Sequence, residues 1–192
     1  MPQLAEQPMI SVEDYLAGEQ DGEIRHEYID GVVYAMTGAS RRHGQINNAL
    51  AYLLTPHARK QGCQLIANDM KVRLEIHGKT LFYYPDLVLT CDPDDRDDYF
   101  ITRPCLIIEI LSPTTERLDR REKLLSYITL HSLQEYILVA QDEPRIEVYR
   151  RTQDWLPEEY TEGTFRLDCV QAELSVAEVY ADVPELNRLN HP

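Results

Sequence analysis

The chain has few positive charges for its length. Its 192 residues include 19 lysines and arginines against 33 aspartates and glutamates, a formal net charge of −14. Proteins that coat nucleic acid without sequence preference neutralise phosphates with lysine and arginine. This composition argues against such a protein but leaves room for an enzyme with a local basic groove. Much of the acidic excess lies in CDPDDRDD, residues 91–98, which is typical of a solvated loop.

Long apolar runs are also lacking. No uncharged hydrophobic stretch approaches the roughly 20 residues that a helix needs to span a bilayer. The opening residues, MPQLAEQPMI, carry neither the basic start nor the apolar stretch of a secretory signal. The sequence therefore predicts a soluble, cytoplasmic protein.

Cysteine is scarce, and its spacing does not match the common zinc motifs. The chain has four cysteines, and they form neither a C-x-x-C pair nor a cysteine–histidine cluster. Two of them, Cys91 and Cys105, lie in or beside apolar runs, where free cysteine is commonly buried. We therefore expect buried free thiols and a reducing compartment.

Repeats, low-complexity tracts and linkers are absent from the sequence as well. A length of 192 residues fits one domain, and a chain of this size buries most of its unfolded surface without added staples. We predict a single domain over residues 1–192, in which residues 1–10 form an N-terminal arm.

Hydrophobic periodicity predicts an α/β fold. A strand, a helix and a second apolar strand follow one another after residue 105, which favours a right-handed parallel crossover. The segments RIEVYRR and FRLDCV are expected in a peripheral sheet. The helices are expected at 11–18, 43–61, 116–131 and 175–183, and the other strands at 26–36 (a hairpin turning at Asp30-Gly31), 70–76, 83–90, 106–111 and 135–140.

Two apolar runs each carry a single carboxylate. Asp86 lies in YYPDLVLT and Glu109 in LIIEILSPTT, and an unpaired buried carboxylate costs several kcal/mol or takes up a proton. Because side chains alternate along a strand, neighbouring strands can bring both acids together at one end of a sheet. A Mg²⁺ ion would supply the missing counter-charge. The backbone carbonyl of Ile110 is a further candidate oxygen ligand.

The helix expected over 116–131 offers a side-chain cation. Asp119, Lys123 and Tyr127 recur at four-residue steps and share one helix face. Arg121 projects into the adjacent apolar arc. If this helix packs beside the carboxylates, either Lys123 or Arg121 reaches them, where a cation can orient an attacking water or stabilise charge on a phosphate.

Each of these signals also has an ordinary structural explanation. A carboxylate in an apolar strand often marks the strand end, where it meets solvent. Asp119 and Lys123 at i, i+4 form a common helix ion pair worth a few tenths of a kcal/mol. Clusters of perturbed charge can also be purely structural.

Several segments resemble the Uma-two family of endonucleases, a bacterial group within the restriction endonuclease-like, PD-(D/E)XK superfamily. They are HEYIDGVVYAMTGASRRHGQI, YYPDLVLTCD, LIIEILSPTTERLDRREKLLSY and EYILV. The resemblance covers roughly residues 10–182 and is most specific from Glu109 to Tyr127. It implies an α/β fold with a restriction endonuclease-like core: a mixed central sheet flanked by helices, with an additional peripheral antiparallel sheet.

The resemblance also implies a site. The superfamily pattern pairs a proline–aspartate, here Pro85-Asp86, with an acid-x-lysine that begins here at Glu109. Leu111 stands where the lysine is expected, and a leucine neither orients water nor stabilises charge. The family pattern implies that the lysine has moved to Lys123 on the following helix.

The implied reaction is metal-assisted phosphodiester hydrolysis. Asp86 and Glu109 would hold Mg²⁺ or Mn²⁺, and Lys123 would position the attacking water. An early acid, Glu27, resembles a further member of the cluster and would serve a second metal or a water on the metal.

Two more residues are implied to support the lysine. Asp119 and Tyr127 would hold the side chain of Lys123 in its rotamer. Core packing and an ordinary salt bridge explain these two residues as well.

Phosphate contacts are expected from basic residues near helix starts. His43 follows Arg41 and Arg42, and a histidine there can touch a phosphate with help from the helix N-terminus. A solvent-facing histidine explains the same position. The other basic candidates for a groove are Arg117, Arg120, Arg121, Arg145, Arg150 and Arg151.

Three functions fit these features: a Mg²⁺-dependent endonuclease acting on DNA, a nuclease-like module that binds or scaffolds without cutting, and a hydrolase of small phosphate esters. Asp86, Glu109 and Lys123 favour the first. The charge of −14 and the missing acid-x-lysine favour the second. A homodimer is expected because related nucleases often pair to reach two strands.

Overall fold

The computed structural model describes residues 9–113 and 116–187. Most of the expected N-terminal arm lies outside this described part of the chain. Among the described residues, no helix is both long enough and apolar enough to cross a bilayer.

The described residues form thirteen strands and several short and long helices. The strands are β1 (His26–Ile29), β2 (Val32–Ala35), β3 (Gln64–Ala67), β4 (Lys71–Ile76), β5 (Lys79–Tyr83), β6 (Leu87–Thr90), β7 (Phe100–Ile101), β8 (Leu106–Leu111), β9 (Glu135–Ala140), β10 (Ile146–Arg150), β11 (Pro157–Tyr160), β12 (Thr164–Leu167) and β13 (Ala172–Ser175). The helices are α1 (Val12–Asp21), α2 (Arg41–Gln61), α3 (Glu116–Leu118), α4 (Leu124–Tyr127), α5 (Val176–Val179) and α6 (Pro184–Asn187), with a π-helix at Asp119–Lys123 and a 3-10 turn at Arg151–Gln153.

These strands make two large sheets and one small one. The first has the order β2-β1-β5-β4-β7, the second β11-β10-β9-β8-β6-β3, and β12 and β13 form a separate pair. Within the second sheet, β8 and β9 run parallel while the other neighbours are antiparallel. The mixed central sheet and the additional antiparallel pair confirm the predicted fold class.

The two large sheets pack face to face. Alternate side chains of the second sheet, such as Val88, Ile107 and Leu138, join Val72 and Leu81 of the first sheet in one apolar cluster. The opposite face packs against α2, α5 and the β12–β13 pair. Helix α1 covers the outer side of the first sheet through an aromatic cluster. The sheet interface holds the site described below.

Local signals in the sequence account for the early elements. Ser11 accepts a hydrogen bond from the backbone N–H of Asp14 and so begins α1 as an N-cap. Asp30 and Gly31 both adopt positive φ, as a two-residue hairpin turn requires. Helix α2 ends at Gly62 in a left-handed conformation. These predicted elements are confirmed, with α1 and α2 each longer than expected.

The segment RIEVYRR was predicted in a peripheral sheet, and this prediction is wrong. Its strand β10 lies inside the second sheet, between β9 and β11, and all its residues are buried. Its charged side chains tolerate burial because they are paired. Glu147 contacts both Arg120 and Arg145, at 2.6 and 2.7 Å.

The prediction of free thiols is also wrong. Cys63 is bonded to Cys91 and Cys105 to Cys169, across 28 and 64 residues of sequence. Sequence spacing could not reveal these pairs, because the fold brings distant segments together. The expectation of a reducing compartment rested on those thiols and loses that support.

Candidate active site

The site lies where the chain passes from one sheet to the other. Strand β5 ends in the first sheet at Tyr83, and β6 begins in the second sheet at Leu87. The segment 83–90, predicted as one strand, is therefore broken. Pro85 lies within the break, where the missing N–H of a proline disrupts no ladder. Asp86 follows it and faces the space between the sheets.

Asp86 and Glu109 lie side by side. Strands β6 and β8 are antiparallel neighbours in a register that pairs Leu87 with Ile108, and the same register sets Asp86 opposite Glu109. Asp86 Oδ2 accepts a hydrogen bond from the backbone N–H of Ile110 at 2.7 Å. The side chain of Glu109 is buried, whereas that of Asp86 keeps 18% of its surface exposed.

Lys123 is the cation that meets the buried acids. Its Nζ lies 2.8 Å from Glu27 Oε1, 3.2 Å from Glu109 Oε1 and 3.4 Å from Asp119 Oδ1. The acids come from the first sheet, the second sheet and the π-helix. Arg121, the competing candidate, is exposed on the helix surface. Of the two cations that the sequence left open, the structure brings Lys123 to the acids.

The helix that carries Lys123 differs from the prediction. A regular helix was expected over 116–131, but the structure forms α3, one π-helical turn and α4, and ends at Tyr127. The wider π turn carries Asp119 and Lys123 inward, both buried, while Arg121 and Glu122 stay exposed. Such turns are frequent at functional sites.

Hydroxyl groups of buried tyrosines complete the surroundings. Tyr127 donates a hydrogen bond to Glu109 Oε1 at 3.4 Å, and Tyr136 donates one to the backbone carbonyl of Asp119 at 3.0 Å. The rings of Tyr83 and Tyr127 pack edge to face. Tyr127 thus contacts both the core and an acid that binds Lys123.

The protonation of the cluster reflects burial and crowding. Burial is the largest cause and raises the pKa of Glu109 well above its usual value. Lys123 opposes this shift, and the nearby carboxylates of Asp119, Asp86 and Glu27 add to it. Burial alone would lower the pKa of Lys123, but the surrounding carboxylates raise it well above its usual value. The lysine therefore stays charged.

His43 is directed at the site instead of at bulk solvent. Ser40 caps α2 by accepting a hydrogen bond from the backbone N–H of His43 at 3.1 Å. The ring Nε2 then lies 3.0 Å from Asp86 Oδ1, and only 13% of the side chain is exposed. The explanation of His43 as a solvent-facing residue is wrong.

A cavity of about 660 Å³ opens over the cluster. The acids Glu27, Asp86 and Glu109 line it together with Lys123 and His43, and the hairpin β1–β2 forms one wall with Tyr34 and Met36 exposed at its edge. The backbone of Ile110 also borders this cavity. A cavity of this size can accommodate a phosphate group together with the adjoining parts of a substrate.

The arginines predicted to contact nucleic acid differ in their contacts and exposure. Arg120 is bound to Glu116 and Glu147, and Arg42 to Asp142 and Glu185. Arg41 and Arg121 are exposed. Arg120 and Arg42 are thus engaged within the protein.

A second polar network, which the sequence did not indicate, adjoins the acids. Tyr84 donates a hydrogen bond to Glu19 at 2.6 Å and accepts one from Lys71 at 3.2 Å, while its backbone N–H reaches Glu27 at 3.4 Å. Burial lowers the pKa of Lys71 and raises that of Tyr84. The position of Tyr84 beside the Pro-Asp pair is the one sequence signal that could have pointed to it.

Known proteins resemble this chain in sequence and in fold. A model of the family described as "Uma2: Putative restriction endonuclease" matches residues 12–179. Uncharacterized protein slr1290 of Synechocystis sp. (strain ATCC 27184 / PCC 6803 / Kazusa) is 38% identical over 173 residues, which cover 88% of this chain and 90% of that protein. Uncharacterized protein sll1609 of the same strain is 29% identical over 153 residues, covering 77% and 85%.

A solved structure shares the architecture. It is described as "a putative nuclease belonging to DUF820 from Anabaena variabilis ATCC 29413", and it superposes with a TM-score of 0.71 over 90% of this chain and 98% of that chain. Its sequence identity of 17% means that the likeness shows the fold and not the activity.

Proposed function

This chain belongs to the Uma2 family of restriction endonuclease-like proteins, and from that premise we propose that it is a Mg²⁺-dependent endonuclease acting on DNA. One observation carries the proposal: three buried carboxylates surround a single lysine beside a fourth, half-buried carboxylate at the wall of a cavity. A purely structural ion pair needs no such surplus of acids, because burying unpaired charge is costly.

The donor types suit a hard divalent cation. Asp86 and Glu109 lie opposite each other, Glu27 faces the same cavity, and the backbone of Ile110 borders it. Oxygen ligands of this kind suit Mg²⁺ or Mn²⁺ better than softer metals. Burial raises the pKa of Glu109, and a bound cation would offset the cost of ionising that carboxyl group. When bound, the ion would supply Lewis-acid polarisation of the phosphate and an activated water.

Lys123 would act on the substrate from the protein side. Three carboxylates fix its Nζ, and its raised pKa keeps it charged, so it would stabilise negative charge that develops on the phosphate. Asp119 would hold the lysine through its ion pair, and Tyr127 would hold Glu109, a partner of the lysine, through its hydrogen bond.

His43 would contribute from the opposite wall. Its Nε2 faces Asp86 Oδ1 and borders the cavity, so it would orient that carboxylate and offer a hydrogen-bond donor to a phosphate oxygen. Exposed Arg41 near the same helix start would add a phosphate contact. Pairing of two copies, so that two strands are reached, remains a prediction of the same proposal.

Calorimetric titration tests the ion. Wild-type protein should bind Mg²⁺ or Mn²⁺, and Asp86→Ala should abolish that binding because it removes a ligand that faces the cavity. Binding that survives the substitution would eliminate this site. Asn in place of Asp86 is the matched variant, since it keeps the size of the side chain and removes only its charge.

Cleavage assays test the chemistry. Single-stranded DNA, double-stranded DNA and RNA of one sequence should be compared with Mg²⁺ present, and double-stranded DNA should be cut. Lys123→Ala should lose activity, whereas Arg121→Ala should retain it because Arg121 lies on the exposed helix surface. The reverse outcome would overturn the assignment of the lysine.

A second candidate is a nuclease-like module that binds without cutting. The ion pairs of Arg42 and Arg120 favour it, because they occupy two of the expected phosphate contacts. Binding of the metal without cleavage of any of the three substrates would support this candidate.

A further inference from the structure

All four cysteines of the chain meet at one place. Cys63 follows α2, Cys91 follows β6, Cys105 precedes β8, and Cys169 lies in the turn between β12 and β13. The two disulfides lie against each other, with 3.5 Å between Cys91 Sγ and Cys105 Sγ. We call these four residues the cysteine cluster.

The sulfur atoms of the two disulfides lie in one cluster and not at two separate positions in the fold. The Sγ atoms of Cys91, Cys105 and Cys169 all lie within 4.8 Å of one another, and Cys63 is bonded to the first of them. Two independent disulfides need no such meeting point. A tetrahedral zinc with Zn–S bonds of about 2.3 Å requires sulfurs about 3.8 Å apart, and the 3.5 Å contact is near that spacing.

Backbone hydrogen bonds hold the first three cysteines in place. The register of β3 and β6 pairs Gln64 with Thr90, which sets Cys63 opposite Cys91. The backbone N–H of Cys105 donates to the carbonyl of Leu89 at 2.8 Å, just before β8 begins. These contacts involve no sulfur atom, so reduction of the disulfides does not itself remove them.

A buried carboxylate holds the fourth cysteine. Glu135 accepts hydrogen bonds from the backbone N–H groups of Asp168 and Cys169, both at 3.0 Å. The turn that carries Cys169 is therefore tied to the start of β9. The cluster lies at the opposite end of β8 from Glu109, so it is distinct from the candidate active site.

We propose that, with its sulfurs reduced, the cysteine cluster binds one Zn²⁺ ion as a structural tetrathiolate site. Four thiols give up four protons, and the four thiolates and the ion form a centre of net charge −2. Thiolate sulfur is the ligand that zinc and similar soft cations prefer. Cys91 is exposed and gives the ion a path of entry. The centre would clamp the β12–β13 pair to the second sheet.

Cobalt binding to the reduced protein tests the proposal. A phosphine reductant gives two electrons to each disulfide and becomes the phosphine oxide, which leaves four thiols. After the reductant is removed without oxygen, one equivalent of Co²⁺ should produce the thiolate-to-metal charge transfer of a tetrahedral site, and Zn²⁺ should bleach it. The Asp86→Ala background prevents metal binding at the proposed active site from adding to the measured number of cobalt ions per chain.

The matched comparison is Cys91→Ser combined with Cys105→Ser in the same background. Two thiolates remain, so the charge-transfer band should be lost. Because these substitutions can also impair folding, alkylation of the unsubstituted cysteines gives a second measurement. Zinc should protect all four thiols of the reduced chain, and a chelator should expose them.

Two outcomes would overturn the proposal. One is a reduced chain that stays folded by circular dichroism, gives no charge-transfer band and gains no protection from zinc. The other is a reduced chain that unfolds even with zinc present, since the disulfides themselves would then be required.

Discussion

At the scale of single residues, substitution of Lys123 is expected to cost the most stability. Its ammonium lies within 3.4 Å of three carboxylates, and 6% of the side chain is exposed. Removal of one partner from a buried ion pair costs about 3–5 kcal/mol, because the other charge is left uncompensated. The lysine therefore contributes to stability as well as to the proposed chemistry.

The first prediction concerns Lys123→Met. The free energy of unfolding at neutral pH should fall by about 3–5 kcal/mol, and the loss should shrink in mild acid as the stranded carboxylates take up protons. Urea unfolding at several pH values measures both effects. Arg121→Met is the control, because that side chain is exposed. Wild-type stability of Lys123→Met at neutral pH would contradict the cluster as described.

The second prediction concerns the raised pKa of Glu109. The folded protein holds this proton to a higher pH than the unfolded chain does. Its contribution to stability is therefore fully present below the ordinary glutamate pKa and is lost as pH rises through the raised value. In Glu109→Gln, unfolding free energy should fall less than in the wild type between mildly acidic and alkaline pH.

Urea denaturation across that pH range makes the measurement. Glu162→Gln serves as the comparison, because Glu162 is exposed and its substitution should leave the pH profile unchanged. Identical profiles for Glu109→Gln and the wild type would show that Glu109 titrates normally.

At the scale of elements, the π-helix decides which side chains of the segment 119–123 face inward. A π turn contains one residue more than an α turn, so deletion of a residue within it restores a regular helix and leaves the flanking turns in phase. Deletion of exposed Glu122 should therefore keep the helix but bring Lys123 from four positions after Asp119 to three, which displaces its Nζ relative to Glu27 and Glu109.

The third prediction follows from that deletion. Circular dichroism should show unchanged helix content, while cleavage activity should fall by roughly a hundredfold or more, as when a charge-stabilising group is lost. The Glu122→Ala variant keeps the turn length and should retain activity. Full activity of the deletion variant would mean that the π turn is not needed.

Elements defined by local signals could be predicted from the sequence. Helix α1 has its serine cap, the first hairpin has its Asp-Gly turn, and β9 is a short apolar run, so each matches the structure. Asp86, just before β6, and Glu109, on β8, were expected to meet if the strands are neighbours, because side chains alternate along a strand.

Elements that depend on distant partners could not be predicted in this way. Strand β10 has charged residues that are buried only because Arg120 and Arg145 reach Glu147. The break between β5 and β6 depends on two sheets that the sequence does not delineate. The π turn and the pairs of cysteines likewise arise from tertiary packing, which has no short-range sequence signal.

At the scale of the whole molecule, the net charge of −14 opposes the approach of a polyanion. Arg42 and Arg120 are held in ion pairs, so they are less available to displace counterions from DNA. Under the proposed function, binding to DNA would therefore depend on local contacts and on the proposed ion more than on the overall field.

The fourth prediction is a weak dependence of DNA binding on salt. With about three phosphate contacts, the plot of log affinity against log salt should have a slope no steeper than about −3. Fluorescence anisotropy with the Asp86→Asn variant, which should not cut, measures this slope. A slope of about −6 or steeper would contradict this prediction, because it would require about twice as many phosphate contacts.

The residues of the site are spread along the chain, and their order determines when the site can assemble during synthesis. Glu27, Asp86 and Glu109 leave the ribosome before Lys123, and the strands that complete the second sheet follow later still. An incomplete chain thus has the acids without the ammonium group or the finished framework. Under the proposed function, cutting competence would arise only after Lys123 and the strands of the second sheet have been made.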